Sequence, residues 1–189
     1  MLIETLDAFG QFDVGNSPTD FQSSITQPLV NAGDWQGARR LWSVFHPEAF
    51  ATAPLLRDPD FTGEYPPPFG WEVRRDRNGY AELGDFGLEG EGYGRRRSLL
   101  TRQYTILEQG DYRLRIQSEV IGRGLQIEVA CPNLGNIAEE TLSERIHVVE
   151  FRVPQQCALV EIGLYGRPTD PPTPSPFRIR QVSLERSAG

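Results

Sequence analysis

Residues 98–131 read Ser-Leu-Leu-Thr-Arg-Gln-Tyr-Thr-Ile-Leu-Glu-Gln-Gly-Asp-Tyr-Arg-Leu-Arg-Ile-Gln-Ser-Glu-Val-Ile-Gly-Arg-Gly-Leu-Gln-Ile-Glu-Val-Ala-Cys, and this stretch decides the fold. Tyr112, Leu114, Ile116, Ser118 and Val120 alternate with Arg113, Arg115, Gln117 and Glu119, a period of two that sends one set inward and the other to water. That is the pattern of a half-buried antiparallel strand. Gln109-Gly110-Asp111 before it and Gly122-Arg123-Gly124 after it tolerate turn dihedrals. The spacing therefore predicts pairing with residues 99–107 on one side and 125–131 on the other, a three-stranded meander.

Working downstream, residues 132–143 read as a polar connection. Residues 146–153, 157–165 and 177–186 read as three further strands, separated by Pro154-Gln155-Gln156 and by the loop 167–176 with its five prolines. In the last strand Phe177 and Ile179 share one phase while Val182 and Leu184 restart in the other, so a bulge is expected near Arg180-Gln181. Upstream, Asn78-Gly79 is a hairpin turn that should join residues 71–75 to 80–83. Residues 84–94 read as a glycine-rich loop holding Asp85, Glu89 and Glu91. No Lys-Ser/Thr follows it and its carboxylates would repel phosphate, so it is no phosphate cradle. Pro66-Pro67-Pro68 sets an extended segment before the first strand. About eight strands at regular spacing predict a mainly β domain over 55–187, a two-sheet antiparallel β-sandwich of jelly-roll type.

Residues 1–50 form a separate lead and helical hairpin, of which 1–16 carry no assignable pattern. Ser17 suits an N-cap, Pro18 the first helical position and Asp20 the dipole, with Phe21 and Ile25 on one face. Pro28 should strain or end that helix, and Gly33 should close it. Asp34 can cap a second helix whose Ala38, Leu41, Trp42 and Phe45 form one apolar stripe, stopping at Pro47. Trp35 and Trp42 read as packing residues.

Composition narrows the partners. A net charge of −7 and a pI near 4.9 oppose a broad footprint for nucleic acid or anionic membrane. The runs Arg74-Arg75-Asp76-Arg77 and Arg95-Arg96-Arg97 read as a solvated loop face, with an anion or acidic-sugar contact as the alternative. All 19 basic residues are Arg, spread along the chain, which reads as the codon bias of a GC-rich bacterial genome. Apolar runs fall far short of the ~20 residues that span a bilayer, and the first residues lack the basic and apolar regions of a signal peptide. Cys131 and Cys157 stand at the end of one strand and the start of another, open to a disulfide or to two buried thiols. A bridge would place the chain in an oxidising compartment, periplasm or cell envelope; free thiols would suit the cytoplasm.

Several strings carry a family resemblance over roughly 55–186. Asp58-Pro59-Asp60-Phe61, Phe69-Gly70-Trp71, Tyr104 through Leu114, Phe151-Arg152-Val153-Pro154 and Phe177-x-x-x-x-Val182-x-Leu184 follow the order seen in carbohydrate-binding-module-like, galactose-binding-type jelly rolls. The string Leu29-Val30-Asn31-Ala32-Gly33-Asp34-Trp35-x-x-Ala38-x-x-Leu41-Trp42 is similar to part of a tetratricopeptide hairpin. The whole resembles the C-terminal part of bacterial tetratricopeptide proteins ending in such a module. One helical unit cannot bury both faces, so it is either the end of a longer array or a cap docked on the sandwich. Family members often open on Asn-x-x-Phe-Glu, which helps hold a structural calcium; Asp58 and Thr62 stand at those places here, a departure from the pattern.

The resemblance implies sugar binding by rings stacked on pyranose C–H faces and by polar side chains. Trp71, Tyr80, Tyr93 and Tyr165 with Arg95, Arg113 and Arg115 are the candidates, each with a packing or solubility role as the alternative. Catalysis finds little support: His46 and His147 lack zinc-ligand spacing, and there is no Gly-x-Ser-x-Gly. Asp85, Glu89 and Glu91 could supply a carboxylate pair only if the loop brought two together. The expectation is a non-catalytic module with a carbohydrate or protein partner in a bacterial envelope or polysaccharide-handling setting. A structural cap of a helical-repeat scaffold is the alternative, and a glycoside-active enzyme is third.

Overall fold

The computed structural model describes residues 18–50, 55–120, 123–143 and 145–187. Two helices, α1 (Pro18–Asn31) and α2 (Trp35–Phe45), and a 3₁₀ turn at Pro47–Phe50 precede eleven strands. In chain order these are β1 (Glu72–Val73), β2 (Arg75–Asp76), β3 (Gly79–Gly84), β4 (Gly87–Gly92), β5 (Ser98–Ile106) and β6 (Gly110–Val120), then β7 (Leu125–Cys131), β8 (Gly135–Thr141), β9 (Arg145–Val153), β10 (Leu159–Gly166) and β11 (Ser175–Arg186). They form a five-stranded sheet, β1-β5-β10-β7-β8, and a six-stranded sheet, β2-β3-β4-β11-β6-β9, every pair antiparallel. The mainly β sandwich behind a helical hairpin is thus present.

β6 alternates as its sequence requires, with Tyr112, Leu114, Ile116, Ser118 and Val120 buried and Arg113, Arg115 and Gln117 exposed. Its neighbours, however, are β11 and β9, while β5 and β7 both pair with β10 in the other sheet. The meander is therefore corrected: the connections on either side of β6 cross the sandwich. Facing inward rows, including Leu114 and Ile116 from one sheet and Ile127, Val129 and Ile162 from the other, then share one core. The bulge near Arg180-Gln181 is present as a register shift between Ile179 and Gln181.

Three further corrections have local causes. The segment 71–75 is not one strand: β1 pairs with β5 in one sheet and β2 with β3 in the other, so the chain crosses sheets at Arg74. Residues 87–92 are strand β4 rather than loop, because Gly90 and Gly92 occupy the inward positions beside Leu88. A Cβ at Gly90 would sit 2.2 Å from the Tyr80 carbonyl oxygen and 2.7 Å from the Phe177 ring. Residues 135–141 are edge strand β8, held by its ladder to β7 with only Ile137 and Ala138 packed on the core.

In the hairpin, α1 runs through Pro28 to Asn31 and closes on Gly33 at φ +81°, with the Gly33 and Asp34 N–H groups donating to Val30 and Leu29. The Ser17 cap lies outside the described residues. Asp34 caps α2, its carboxylate accepting from the Gly37 N–H at 2.9 Å. The stripe of α2 lands on the outer face of the five-stranded sheet: Ala38 and Trp42 pack with Val30, Phe69, Tyr104 and Leu159. The Trp42 indole N–H donates to Pro66 O at 3.1 Å, and the Ser23 hydroxyl donates to Pro67 O at 3.0 Å. Cys131 and Cys157 form a disulfide beside this contact, with Cα atoms 5.7 Å apart. Among the described residues no helix is long and apolar enough to cross a membrane.

Candidate functional site

The hairpin leaves the outer face of the six-stranded sheet uncovered. Antiparallel register fixes what stands there in rows across the strands. Tyr80 on β3 pairs with Arg75 on β2 and Glu91 on β4, which in turn pairs with Pro176 on β11. The next row holds Glu82, Glu89, Arg178 and Glu119. Farther along lie Gln181, Gln117 and Ile146, then Ser183, Arg115 and Val148, then Glu185, Arg113 and Glu150. Tyr93, two residues beyond Glu91 in the same phase, brings its ring centroid to 6.5 Å from that of Tyr80, and the Arg75 guanidinium lies 5.1 Å from the Tyr80 ring. Both tyrosines are half-exposed.

Five of the seven candidate residues thus fall on this face or its rim. Tyr80 and Tyr93 come together at one end, with Arg95 exposed two residues past Tyr93. Arg113 and Arg115 stand on the same face but on β6, three strands from Tyr80. Arg113 is engaged by Glu150 at 2.9 Å and by Glu185 at 3.6 Å, whereas Arg115 has no side-chain partner among the described residues. Phe86, exposed in the β3–β4 turn with the Arg178 guanidinium 5.6 Å from its ring, was not foreseen from sequence. Its signal, an aromatic between Asp85 and Gly87, is hidden when 84–94 is read as a glycine-rich loop.

Trp71 does not belong to the site. It is 4% exposed, its ring lies 4.8 Å from that of Phe61, and its indole N–H donates to Asp58 O at 2.9 Å. Inward phase and a satisfied N–H make it core, out of reach of a ligand on either outer face.

Tyr165 stands on the outer face of the five-stranded sheet, on the part the hairpin leaves open. Its ring folds over Gly163, where a Cβ would come within 2.7 Å, and the Arg97 guanidinium stacks on it at 3.8 Å. Its hydroxyl donates to Glu161 at 3.0 Å; Arg97 holds Glu128 at 2.7 Å; and Arg102 bridges Glu161 at 3.3 Å and Glu72 at 2.7 Å. Burial, reinforced by the Glu161 charge, pushes the Tyr165 hydroxyl up to about 12. Burial likewise raises Tyr104, beside Arg102. This is a closed ion-pair network rather than an open platform. Glu161, Glu128 and Arg102 escaped sequence reading because their meeting depends on β5–β10–β7 pairing, to which residue spacing is blind.

The loop that would carry calcium in the resembling family is organised differently. Asp58 accepts from the Thr62 N–H at 2.6 Å and hydroxyl at 2.7 Å through Oδ1, and from the Gly63 N–H at 2.8 Å through Oδ2. These donors point hydrogens at both carboxylate oxygens, so the residues present do not fit a calcium ion. Of the histidines, His46 bonds Gln22 at 2.9 Å under the hairpin, and His147 lies buried between Ser143 and Glu140. Of the three acids of 84–94, Glu89 is held by Arg178 at 2.8 Å, Asp85 is exposed in the turn, and Glu91 faces outward beside Tyr80.

No protein-family model and no curated protein matches the sequence. Solved structures do. TmCBM61 in complex with beta-1,4-galactotriose is similar at 19% identity and a TM-score of 0.45, over 72% of this chain and 100% of that one. The CBM22-1–GH10 modules of the Clostridium thermocellum endo-1,4-beta-D-xylanase 10B, complexed with xylohexaose, are similar at 14% identity and a TM-score of 0.36, over 62% and 26%. Accessory secretory protein 1, 2 and 3 of Streptococcus pneumoniae is similar at 8% identity and a TM-score of 0.40, over 59% and 87%.

Proposed function

We propose that this chain is a non-catalytic module that binds carbohydrate on the outer face of its six-stranded sheet. The observation that carries the reading is the Tyr80–Tyr93 pair, two half-exposed rings 6.5 Å apart flanked by Glu91, Glu82 and Arg75 on a face that no other element covers among the described residues. Aromatic faces offer C–H contacts to pyranose rings, and neighbouring carboxylates and guanidinium groups offer hydrogen bonds to hydroxyls. Most carboxylates of this face, Glu82, Glu89, Glu119, Glu150 and Glu185, lie within 4 Å of an arginine, which suits recognition better than proton transfer. The disulfide supports an oxidising, envelope-type setting.

Affinity gel electrophoresis of the full chain against a panel of neutral and anionic polysaccharides tests this. Retardation by at least one polymer, weakened about tenfold by Tyr80→Ala and by Tyr93→Ala, is expected; tenfold corresponds to ~1.4 kcal/mol. Migration unaffected by every polymer overturns it.

A second reading rests on a different observation. Trp42 is fully buried beneath the hairpin against Phe69, Tyr104 and Leu159, so residues 18–50 act as a structural cap on the sandwich at 55–187. The same hairpin would then present its outward side, including exposed Val44, to protein partners.

A further inference from the structure

The charge of this protein is distributed against its average. With 26 acids and 19 arginines the chain has carboxylates to spare, and Arg74, Arg75, Arg97, Arg102, Arg113, Arg152, Arg178, Arg180 and Arg186 each lie within 4 Å of one. Arg77, Arg95, Arg96 and Arg123 are exposed and have no side-chain partner among the described residues. All four belong to loops at one end of the sandwich. The Tyr93 N–H donates to Asn78 O at 2.8 Å, tying the loop of Arg95 and Arg96 to the turn of Arg77. The Thr169 N–H donates to Gly94 O at 2.9 Å, and the Arg167 N–H donates to Gly124 O at 2.7 Å, joining the loop of Arg123 to the same end. The loop of Arg95 and Arg96 and the turn of Arg77, separated by 17 residues of sequence, thus meet at the end of the sandwich that carries Tyr93, while Arg97 turns to Tyr165 on the other sheet.

The acids at this end are few. Asp76 accepts from the Asn78 N–H at 2.6 Å, Asp170 is exposed in the loop before β11, and Glu91 faces the tyrosines. Five arginines, counting Arg167, locally reverse the sign of a molecule whose net charge is −7. At physiological ionic strength charge is screened beyond about 8 Å, so such a patch acts on a bound group despite the acidic remainder. A planar guanidinium matches a carboxylate or sulfate with two parallel hydrogen bonds.

We infer that the ligand of this face is an anionic polysaccharide, its ring carboxylates or sulfates held by Arg77, Arg95 and Arg96 while Tyr80 and Tyr93 pack against its sugar faces. The inference rests on the carbohydrate reading above and names its substrate class. A nucleic acid would present phosphates along a length that meets the acidic remainder of the surface, which disfavours it.

The test uses the full chain in affinity electrophoresis and titration calorimetry at 50 and 300 mM NaCl. The probes are polygalacturonate, chondroitin sulfate, neutral β-1,4-galactan and a 20-nucleotide oligo(dT). The triple variant Arg77→Gln/Arg95→Gln/Arg96→Gln is compared with Arg40→Gln, an exposed arginine on α2 far from the site, and thermal unfolding checks that both variants fold. Expected is binding of polygalacturonate or chondroitin sulfate, tighter than galactan, weakened at least tenfold by the triple variant and by the higher salt, and unchanged by Arg40→Gln. Because chondroitin sulfate carries both groups, binding of polygalacturonate shows that carboxylate suffices, and binding of chondroitin sulfate alone shows that sulfate is required. Galactan bound as tightly, with the triple variant indifferent, overturns the anionic class and leaves the carbohydrate reading standing. Binding of no polysaccharide overturns both, and preferential binding of oligo(dT) overturns the inference in favour of nucleic acid.

Discussion

The guanidinium carbon of Arg97 lies 3.8 Å from the ring centroid of Tyr165, whose hydroxyl donates to Glu161 at 3.0 Å. An unfolded tyrosine ionises near 10, and burial with the Glu161 charge raises Tyr165 to about 12. Stabilisation from this group is complete below about pH 10 and lost as pH climbs toward 12, because the unfolded chain releases the proton first. In an ultraviolet titration of the native protein, Tyr165→Phe should remove a tyrosine that ionises near 12. Removal of one that ionises near 10 would show the network to be open to water.

Trp42 holds the hairpin to the sandwich. Replacing it by Ala empties a fully buried site and should cost about 3–5 kcal/mol. The loss should be local, exposing residues 18–50 to limited proteolysis while the sandwich resists. Equal cleavage of wild type and variant would mean that docking does not depend on this ring.

His46 sits under the same contact, 4.4 Å from Trp42, and burial lowers its pKa against the opposing pull of Glu48 and Glu64. Because the unfolded chain then binds more protons near pH 6.5, stability rises with pH through that region and falls as pH drops below it. Denaturant unfolding at pH 7.5 and 5.5 should show the wild type weaker at 5.5, with a smaller difference in His46→Gln. An identical difference in both proteins would assign the pH dependence elsewhere.

The Cys131–Cys157 bridge closes a loop across a sequence separation of 26. Constraint of the unfolded chain by a loop of that length is worth about 3–4 kcal/mol, so the double Ser variant should melt about 6–15 °C lower. Reduction of the wild type should reproduce that melt. A difference under 2 °C would show that the bridge adds little beyond the packing around it.

Asp58 organises its loop by accepting three hydrogen bonds. Asp58→Ala strands those donors and should cost about 1–3 kcal/mol, while neither calcium nor EDTA should move the melting temperature of the wild type. A rise with calcium in the wild type that Asp58→Ala abolishes would restore the metal site.

Sequence periodicity revealed β6, β9 and β11, the bulge near Gln181, the cap at Asp34 and the closing Gly33, since each is written in neighbouring residues. It hid β4, where glycines fill the inward positions beside Leu88, and β8, which is mostly polar because its backbone ladder holds it with little more than Ile137 and Ala138 on the core. It also misplaced the partners of β6, because a short connection, which usually closes a hairpin, here arches from one sheet to the other on both sides of the strand. For the site, exposed tyrosines and arginine runs were visible as residue types. Their grouping was not, since Tyr80 meets Tyr93 through the β3–β4 register and the turn of Arg77 is tied to the loop of Arg95 by the Asn78–Tyr93 hydrogen bond.

Strand β11 lies between β4 and β6, so the last of the described strands is an interior member of the six-stranded sheet. Until residues 175–186 arrive, β4 and β6 each expose a bare backbone edge, and the ion pair between Arg178 and Glu89 waits across 89 positions of sequence. Such distant pairing makes folding slow and leaves sticky edges in the interval. A ribosome making this protein therefore holds an unfinished sheet until β11 emerges. Substitutions in that strand should lower the yield of soluble protein more sharply than equally destabilising ones in β3.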